Sequence, residues 1–217
     1  LAQRMPLPDL DKIILFASMA SLLIVIPGPA VLYLLAKSMG EGVKAGFISV
    51  LGIGVGALVH VLCSAIGISA ILLASSNAFN ILKYAGAFYL LYLGIQKLRS
   101  SNSLSLISGA KVQTNKNKLF FEGMLINILN PKTAVFFLAF LPQFINPEKG
   151  QPTFQIIFLG LLFVGIAAIS NSTYVLVSSK ISNWLKNNPS FYKRQHMVMA
   201  GVYFFLAVIL LGINNPS

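Results

Sequence analysis

From Ala45 to Ala74 the chain carries no Asp, Glu, Lys or Arg, and that one stretch limits its fold more than any other feature. A helix of about 20 predominantly apolar residues crosses a hydrocarbon core of about 30 Å, so a run this long fits a bilayer. Five further apolar segments can be drawn at Ile13–Ala36, Phe79–Gln96, Leu119–Ile145, Thr153–Ser179 and Met197–Ile213. The runs are continuous rather than alternating, which argues against a β-barrel. Only 10% of the residues are charged, against about 25% in soluble proteins. The sequence therefore predicts an all-α integral membrane protein with six transmembrane helices. The first segment contains Pro27-Gly28-Pro29 and runs well past the length of a signal-peptide core, so it reads as a retained span. Met5 reads as a candidate start, and no weight rests on Leu1 to Arg4.

Connections are short except at Ser100–Lys118, which is rich in Ser, Asn and Lys. This reads as a polar linker between two halves of one transmembrane domain spanning residues 1–217. The first half covers about 11–99, the linker about 100–118 and the second half about 119–213. Shifting the chain by 104 residues sets Pro27-Gly28-Pro29-Ala30-Val31 against Pro131-Lys132-Thr133-Ala134-Val135. Both prolines fall inside apolar segments. Three spans per half is an odd number, so the halves are expected as inverted repeats, with helices 1 and 4 broken. The competing reading is that Pro and Gly are simply common in membrane helices.

The net charge is +11, which in a soluble chain would suggest nucleic acid. Here the cations sit in short loops between apolar runs, so the partner is the lipid bilayer and no nucleic acid is expected. With six spans, eleven basic residues fall on the side of Lys37, Lys97 and Lys118, and four on the side of Lys12 and Lys149. The positive-inside rule then puts both termini outside the cytoplasm. A five-span arrangement with a re-entrant fourth segment fits the charges less well.

Within this frame Lys132 stands out. It is the only charge between Gly123 and Ile145. It lies about 14 Å of helix rise beyond Gly123, too deep for its stem to reach an interface comfortably. A charge there costs at least about 2.5–3.5 kcal/mol, so it is expected to face a cavity, a partner or a substrate. Pro27, Pro29 and Pro131 lack amide hydrogens, which leaves the carbonyls of Leu23, Val25 and Asn127 without their helical donors. Such carbonyls suit an ammonium group, and Lys132 with free amides at a helix break suits a carboxylate. Gly28 lets a substrate approach the backbone. The expected substrate-binding set is therefore Pro27, Gly28, Pro29, Asn127, Asn130, Pro131 and Lys132, taking a zwitterion.

Other polar residues have plainer readings beside functional ones. His60 is a candidate proton carrier, or a satisfied core histidine. Glu122 is a candidate for coupling or gating, or it pairs with Lys118 and caps its helix. Asn171 with Ser170, Ser172 and Thr173 forms a polar patch that reads either as substrate contact or as interhelical hydrogen bonding. One cysteine and two histidines, one of them His196 in an expected loop, make no metal constellation. No phosphate-binding loop is present, and the glycines at 52, 54 and 56 read as close helix packing. No cofactor or metal is expected.

Several motifs carry a family resemblance: Pro27-Gly28-Pro29, Gly42-x-x-x-Gly46, Gly56-Ala57-Leu58-Val59-His60, and the run from Lys83 to Gly94. The strongest are Phe121-Glu122-Gly123, Asn127-Ile128-Leu129-Asn130-Pro131-Lys132 and Pro142-Gln143-Phe144. In order and over nearly the whole chain, these resemble the LysE/RhtB family of bacterial amino-acid exporters, most closely the homoserine, homoserine-lactone and threonine efflux branch. The resemblance implies secondary active export of amino acids or close derivatives by proton exchange, with no enzymatic activity. Members of that family often carry an acidic residue in the second or fifth span; here the corresponding stretches, Gly56-Ala57-Leu58 and Ile166-Ala167-Ala168-Ile169, have none. A homo-oligomer is compatible with the sequence. The alternatives are an intramembrane enzyme acting on a lipid-soluble substrate, whose paired acid/base groups are missing, and an ion channel, which would make no use of a zwitterion site.

Overall fold

The computed structural model describes residues 7–74, 76–99, 115–178, 180 and 189–212, and among these every regular element is helical. The first apolar segment forms two helices, α1 (Leu10–Val25) and α2 (Pro29–Glu41), bent by 53° at the break. The fourth does the same. α5 (Lys116–Ile128) is followed by α6 (Pro131–Val135), which widens into a π turn at Phe136–Phe140 and tightens to a 3-10 turn at Leu141–Phe144, with a bend of 47°. In both breaks a proline takes the first helical position, after Gly28 in one and after Asn130 in the other. Proline fits there because the amide it lacks would have no helical partner anyway. The two prolines in this position, Pro29 and Pro131, are 102 residues apart, whereas the expected 104-residue shift sets Pro131 against Pro27.

The uninterrupted helices are α3 (Val43–Ala74), α4 (Ser76–Arg99), α7 (Pro152–Leu176) and α8 (Pro189–Gly212). Gly42 joins α2 to α3 at φ +91°, a backbone conformation that side-chain-bearing residues rarely adopt. Among the described residues, α3 over Val43–Gly67 and α7 are long and apolar enough to cross a membrane, and each bent pair adds one span if counted whole. α4 and α8 pack together closely enough that a Cβ on Gly94 would meet the Phe204 ring at 2.5 Å. α8 starts at Pro189, so His196 lies in a helix rather than the expected loop. α5 starts at Lys116, capped by Asn115, whose side chain accepts from the Asn117 amide at 3.0 Å. The end of the expected linker is thus helical, and residues 100–114 of it lie outside the described residues.

The two broken helices run antiparallel. Glu122, midway along α5, meets Tyr33 and Lys37 of α2. Lys149, beyond the end of the fourth segment, pairs with Asp9 just before α1. Behind them, α3 and α5 touch backbone to backbone. A Cβ on Gly52 would lie 2.0 Å from the Phe120 carbonyl oxygen, and one on Gly56 2.6 Å from that of Met124. Close packing explains these two glycines, as expected, but not Gly54, which has open space beside it.

Two apolar clusters result. The larger is built on aromatic rings, with Phe136 against Phe163 at 4.9 Å and against Phe16 at 5.4 Å between centroids. The smaller joins Ala30, Leu34, Val50, Ile53 and Val175. Large apolar side chains such as Leu51, Leu62, Ile66, Leu161 and Ile169 face outward, while Asn127, Asn130, Lys132, Thr133 and Asn171 are buried. A soluble protein does the reverse.

Candidate functional site

The second break satisfies most of its polar groups from nearby residues. Pro131 cannot donate to the Asn127 carbonyl, and that oxygen instead accepts from the Asn130 amide at 3.0 Å. It also lies 3.0 Å from His60 Nε2, so the ring carries its donated proton on that nitrogen. The Asn127 side chain donates to the Ile53 carbonyl at 2.8 Å and accepts from the Thr133 hydroxyl at 3.0 Å. Asn130 caps α6 by accepting from the Lys132 amide at 3.1 Å. His60 also stacks on Phe137, with centroids 5.9 Å apart. The partly buried ring thus has a structural task at the break.

The first break depends on donors from far along the chain. The Val25 carbonyl, which Pro29 cannot satisfy, accepts from the Tyr174 hydroxyl of α7. The Ile26 carbonyl accepts from the Lys132 ammonium at 2.7 Å. The expected free carbonyls are thus partly corrected: those of Val25 and Asn127 are already engaged, and the one facing Lys132 belongs to Ile26. Gly28 adopts φ −111°, which needs no glycine. A Cβ there would touch Lys132 Cδ at 3.5 Å and Nζ at 3.8 Å, ordinary contact distances. In this conformation the group approaching the backbone at Gly28 is Lys132 itself.

Lys132 is 8% exposed, and among the described residues no carboxylate pairs with it. An ammonium has three protons to donate, and the Ile26 carbonyl takes one. Beside it lies a cavity of about 50 Å³ between the two apolar clusters, lined by Gly28, Asn127, Asn130 and Lys132 of the expected set. By volume it holds about three or four waters. Pro27, Pro29 and Pro131 are not in its lining; they act one step back, by creating the breaks. Thr133 and Asn171 do line it; Thr133 is outside the expected set, and Asn171 has two expected readings. Their signal was weak, a hydroxyl beside Lys132 and an amide in an apolar helix.

His60 and Glu122 stand outside the cavity lining. Glu122 accepts from the Tyr33 hydroxyl at 3.1 Å and pairs with Lys37 at 3.3 Å and Lys118 at 3.9 Å, while Lys37 also reaches Glu41 at 3.1 Å. The expected Lys118 pairing is present, and the cluster also ties α5 to α2. At the other end of the broken helices, the Lys149 ammonium holds the exposed Asp9 carboxyl below its usual pKa. Gln155 fixes the adjoining turn through Asn146 and Gly150. Among the described residues no group of three or more His, Cys, Asp or Glu side chains can hold a metal ion.

A helical membrane protein with two proline-broken helices around a buried lysine is the class that this geometry defines. The family of LysE type translocators matches over residues 21–215, and the chain belongs to it. It is 29% identical over 196 residues to the homoserine/homoserine lactone efflux protein of Salmonella typhi, covering 90% of this chain and 94% of the relative. It is 30% identical over 138 residues to a leucine efflux protein of Salmonella choleraesuis, covering 62% and 65%. An uncharacterized membrane protein of Bacillus subtilis is 28% identical over 187 residues, covering 82% and 89%. No solved structure matches the chain.

Proposed function

We propose that this chain is a secondary active exporter of amino acids or close derivatives, such as homoserine, homoserine lactone or threonine, across a bacterial inner membrane. The observation that carries this is the buried Lys132 ammonium, unpaired by any described carboxylate and facing a polar cavity between two helix breaks. Membership in a translocator family and relatives named for amino-acid efflux support it. The substrate carboxylate, or the ester carbonyl that replaces it in a lactone, takes the Lys132 ammonium. The Ile26 carbonyl, released by Lys132, takes the substrate ammonium. One internal contact is exchanged for two charge-assisted ones, and the break loses no partner. The cavity must widen to admit an amino acid, and the 53° bend of the first break provides the hinge.

The same proposal includes six spans in two inverted repeats, within one domain, and both termini outside the cytoplasm. The antiparallel course of the two broken helices supports it. Reporter fusions at Ser217 and within residues 101–116 test the orientation; a C-terminal fusion active only in the cytoplasm contradicts it. Proton exchange is the proposed driving force, with His60 and Glu122 as candidate carriers, and export that ignores a collapsed pH gradient contradicts that part.

The main experiment is efflux of a panel of labelled amino acids from proteoliposomes holding wild type or Lys132→Met at matched protein levels. The wild type exports one or more amino acids and the variant, though inserted, does not. The competing reading makes Lys132 only a fastener for the Ile26 carbonyl. Near-normal export by the Met variant favours that reading and removes Lys132 from the site.

A further inference from the structure

Of the polar side chains lining the cavity, four have structural tasks. Asn127 and Thr133 bond each other, Asn130 caps α6, and Lys132 holds the Ile26 carbonyl. Asn171 has none. It is 6% exposed, it lies near the end of the long apolar helix α7, and its side chain makes no hydrogen bond among the described residues. Its direction is fixed by its neighbours. Val164, Ala167 and Ala168 line the same cavity, and with Asn171 they form one stripe at helical spacing. Its amide atoms are not among the fully sealed, unpartnered ones, which are Ser64 Oγ and Gln143 Oε1 among the described residues, so the amide keeps surface open to a ligand. Asn171 is therefore an unused polar group aimed into the cavity from α7.

We propose that Asn171 is the residue that selects the substrate's side chain, by hydrogen-bonding a neutral oxygen on it. This rests on the reading of the cavity as an amino-acid site and deepens it. Lys132 and the Ile26 carbonyl deal with the carboxylate and ammonium that all amino acids share, so they do not discriminate. The remaining wall, with Ile24, Val31, Ile53 and Phe163, is apolar. Asn171 is the one unengaged polar group in it. An uncharged amide offers both an acceptor and donors, which fits a hydroxyl or an ester carbonyl. It leaves an aliphatic side chain of equal size facing an unsatisfied amide, and sites built to bond a substrate oxygen reject analogues lacking it. The small cavity adds a preference for short side chains.

The test uses isosteric pairs in proteoliposomes: threonine against valine and homoserine against norvaline, with leucine and lysine alongside. The wild type is expected to export the hydroxylated member of at least one pair about tenfold or more faster than its apolar twin. Asn171→Leu, close in shape and unable to hydrogen-bond, is expected to bring that ratio to about one by gaining the apolar twin. Asn171→Ala carries the same test if the leucine variant fails to insert. A wild type that exports both twins equally, or only leucine or lysine, overturns the proposal, as does a variant that keeps the wild-type ratio. In those cases the amino-acid site stands and only the role of Asn171 is lost. A wild type that moves no amino acid at all removes the site as well.

Discussion

The two helix breaks look alike in backbone and differ in what holds them. Each has a proline at the first position of its second helix and a bend near 50°. The second break is cross-braced by Asn127, Asn130, Thr133 and His60, and Asn127 alone reaches Ile53, Thr133 and its own carbonyl's neighbours. The first break has no side-chain cap of its own. Its two exposed carbonyls are served by single donors, Tyr174 and Lys132, each from another part of the chain. A carbonyl served by one long, flexible side chain can change partner; a network of short amides cannot without losing several bonds together. The second break is therefore the fixed wall of the cavity, and the first is the adjustable one.

If this contrast holds, the largest stability effect belongs to the second break. Asn127→Leu leaves the Thr133 hydroxyl and part of the Ile53 carbonyl's bonding unmet, and is expected to cost about 1–3 kcal/mol. Unfolding in detergent micelles measures it, and a neutral result would end the distinction between fixed and adjustable walls. Tyr174→Phe removes only the Val25 contact of the first break and should cost about 0.5–1.5 kcal/mol in the same assay. A cost above that of Asn127→Leu would reverse the comparison.

Gly28→Ala sharpens it from another side. The backbone there is acceptable to alanine, and the new methyl meets Lys132 at ordinary distances. Stability should change by less than about 0.5 kcal/mol, while the methyl hinders the movement of Lys132 and slows export. An unfolded variant would show that the break is tighter than its geometry indicates. The smallest effect concerns the Asp9–Lys149 pair at the end of the broken helices. Because the folded Asp9 pKa lies below its usual 3.8, the pair's stabilisation is present above that value and is lost as pH falls through the folded pKa. Asp9→Asn should therefore be slightly less stable than wild type at neutral pH, with the gap closing in acid. A gap that widens in acid has the wrong sign for this pair.

How much of this was legible in the sequence follows from range. Proline inside an apolar run marks a break wherever it occurs, so both breaks and the depth of Lys132 could be read locally. Which proline opens the second helix of the first break is not legible locally, because Pro27 and Pro29 are equally apt in sequence and only the helix start at Pro29 separates them. Partners from distant segments left little trace. Tyr174 is one tyrosine among seven, and nothing local ties it to Val25. α8 was drawn too short because Lys193 and Arg194 end the apolar run; hydropathy marks the part of a helix that lipid can cover, and a helix continues beyond it.

The central claim is that Lys132 leaves the Ile26 carbonyl to take a substrate carboxylate. The most direct measurement is the affinity of purified wild type and Lys132→Met for the amino acid exported best and for its uncharged amide. A charge-assisted hydrogen bond contributes about 1.5–3 kcal/mol, so the wild type should bind the acid about ten- to a hundredfold more tightly than the amide. The Met variant should bind both as weakly as the wild type binds the amide. A Met variant that keeps the full preference for the acid would contradict the account.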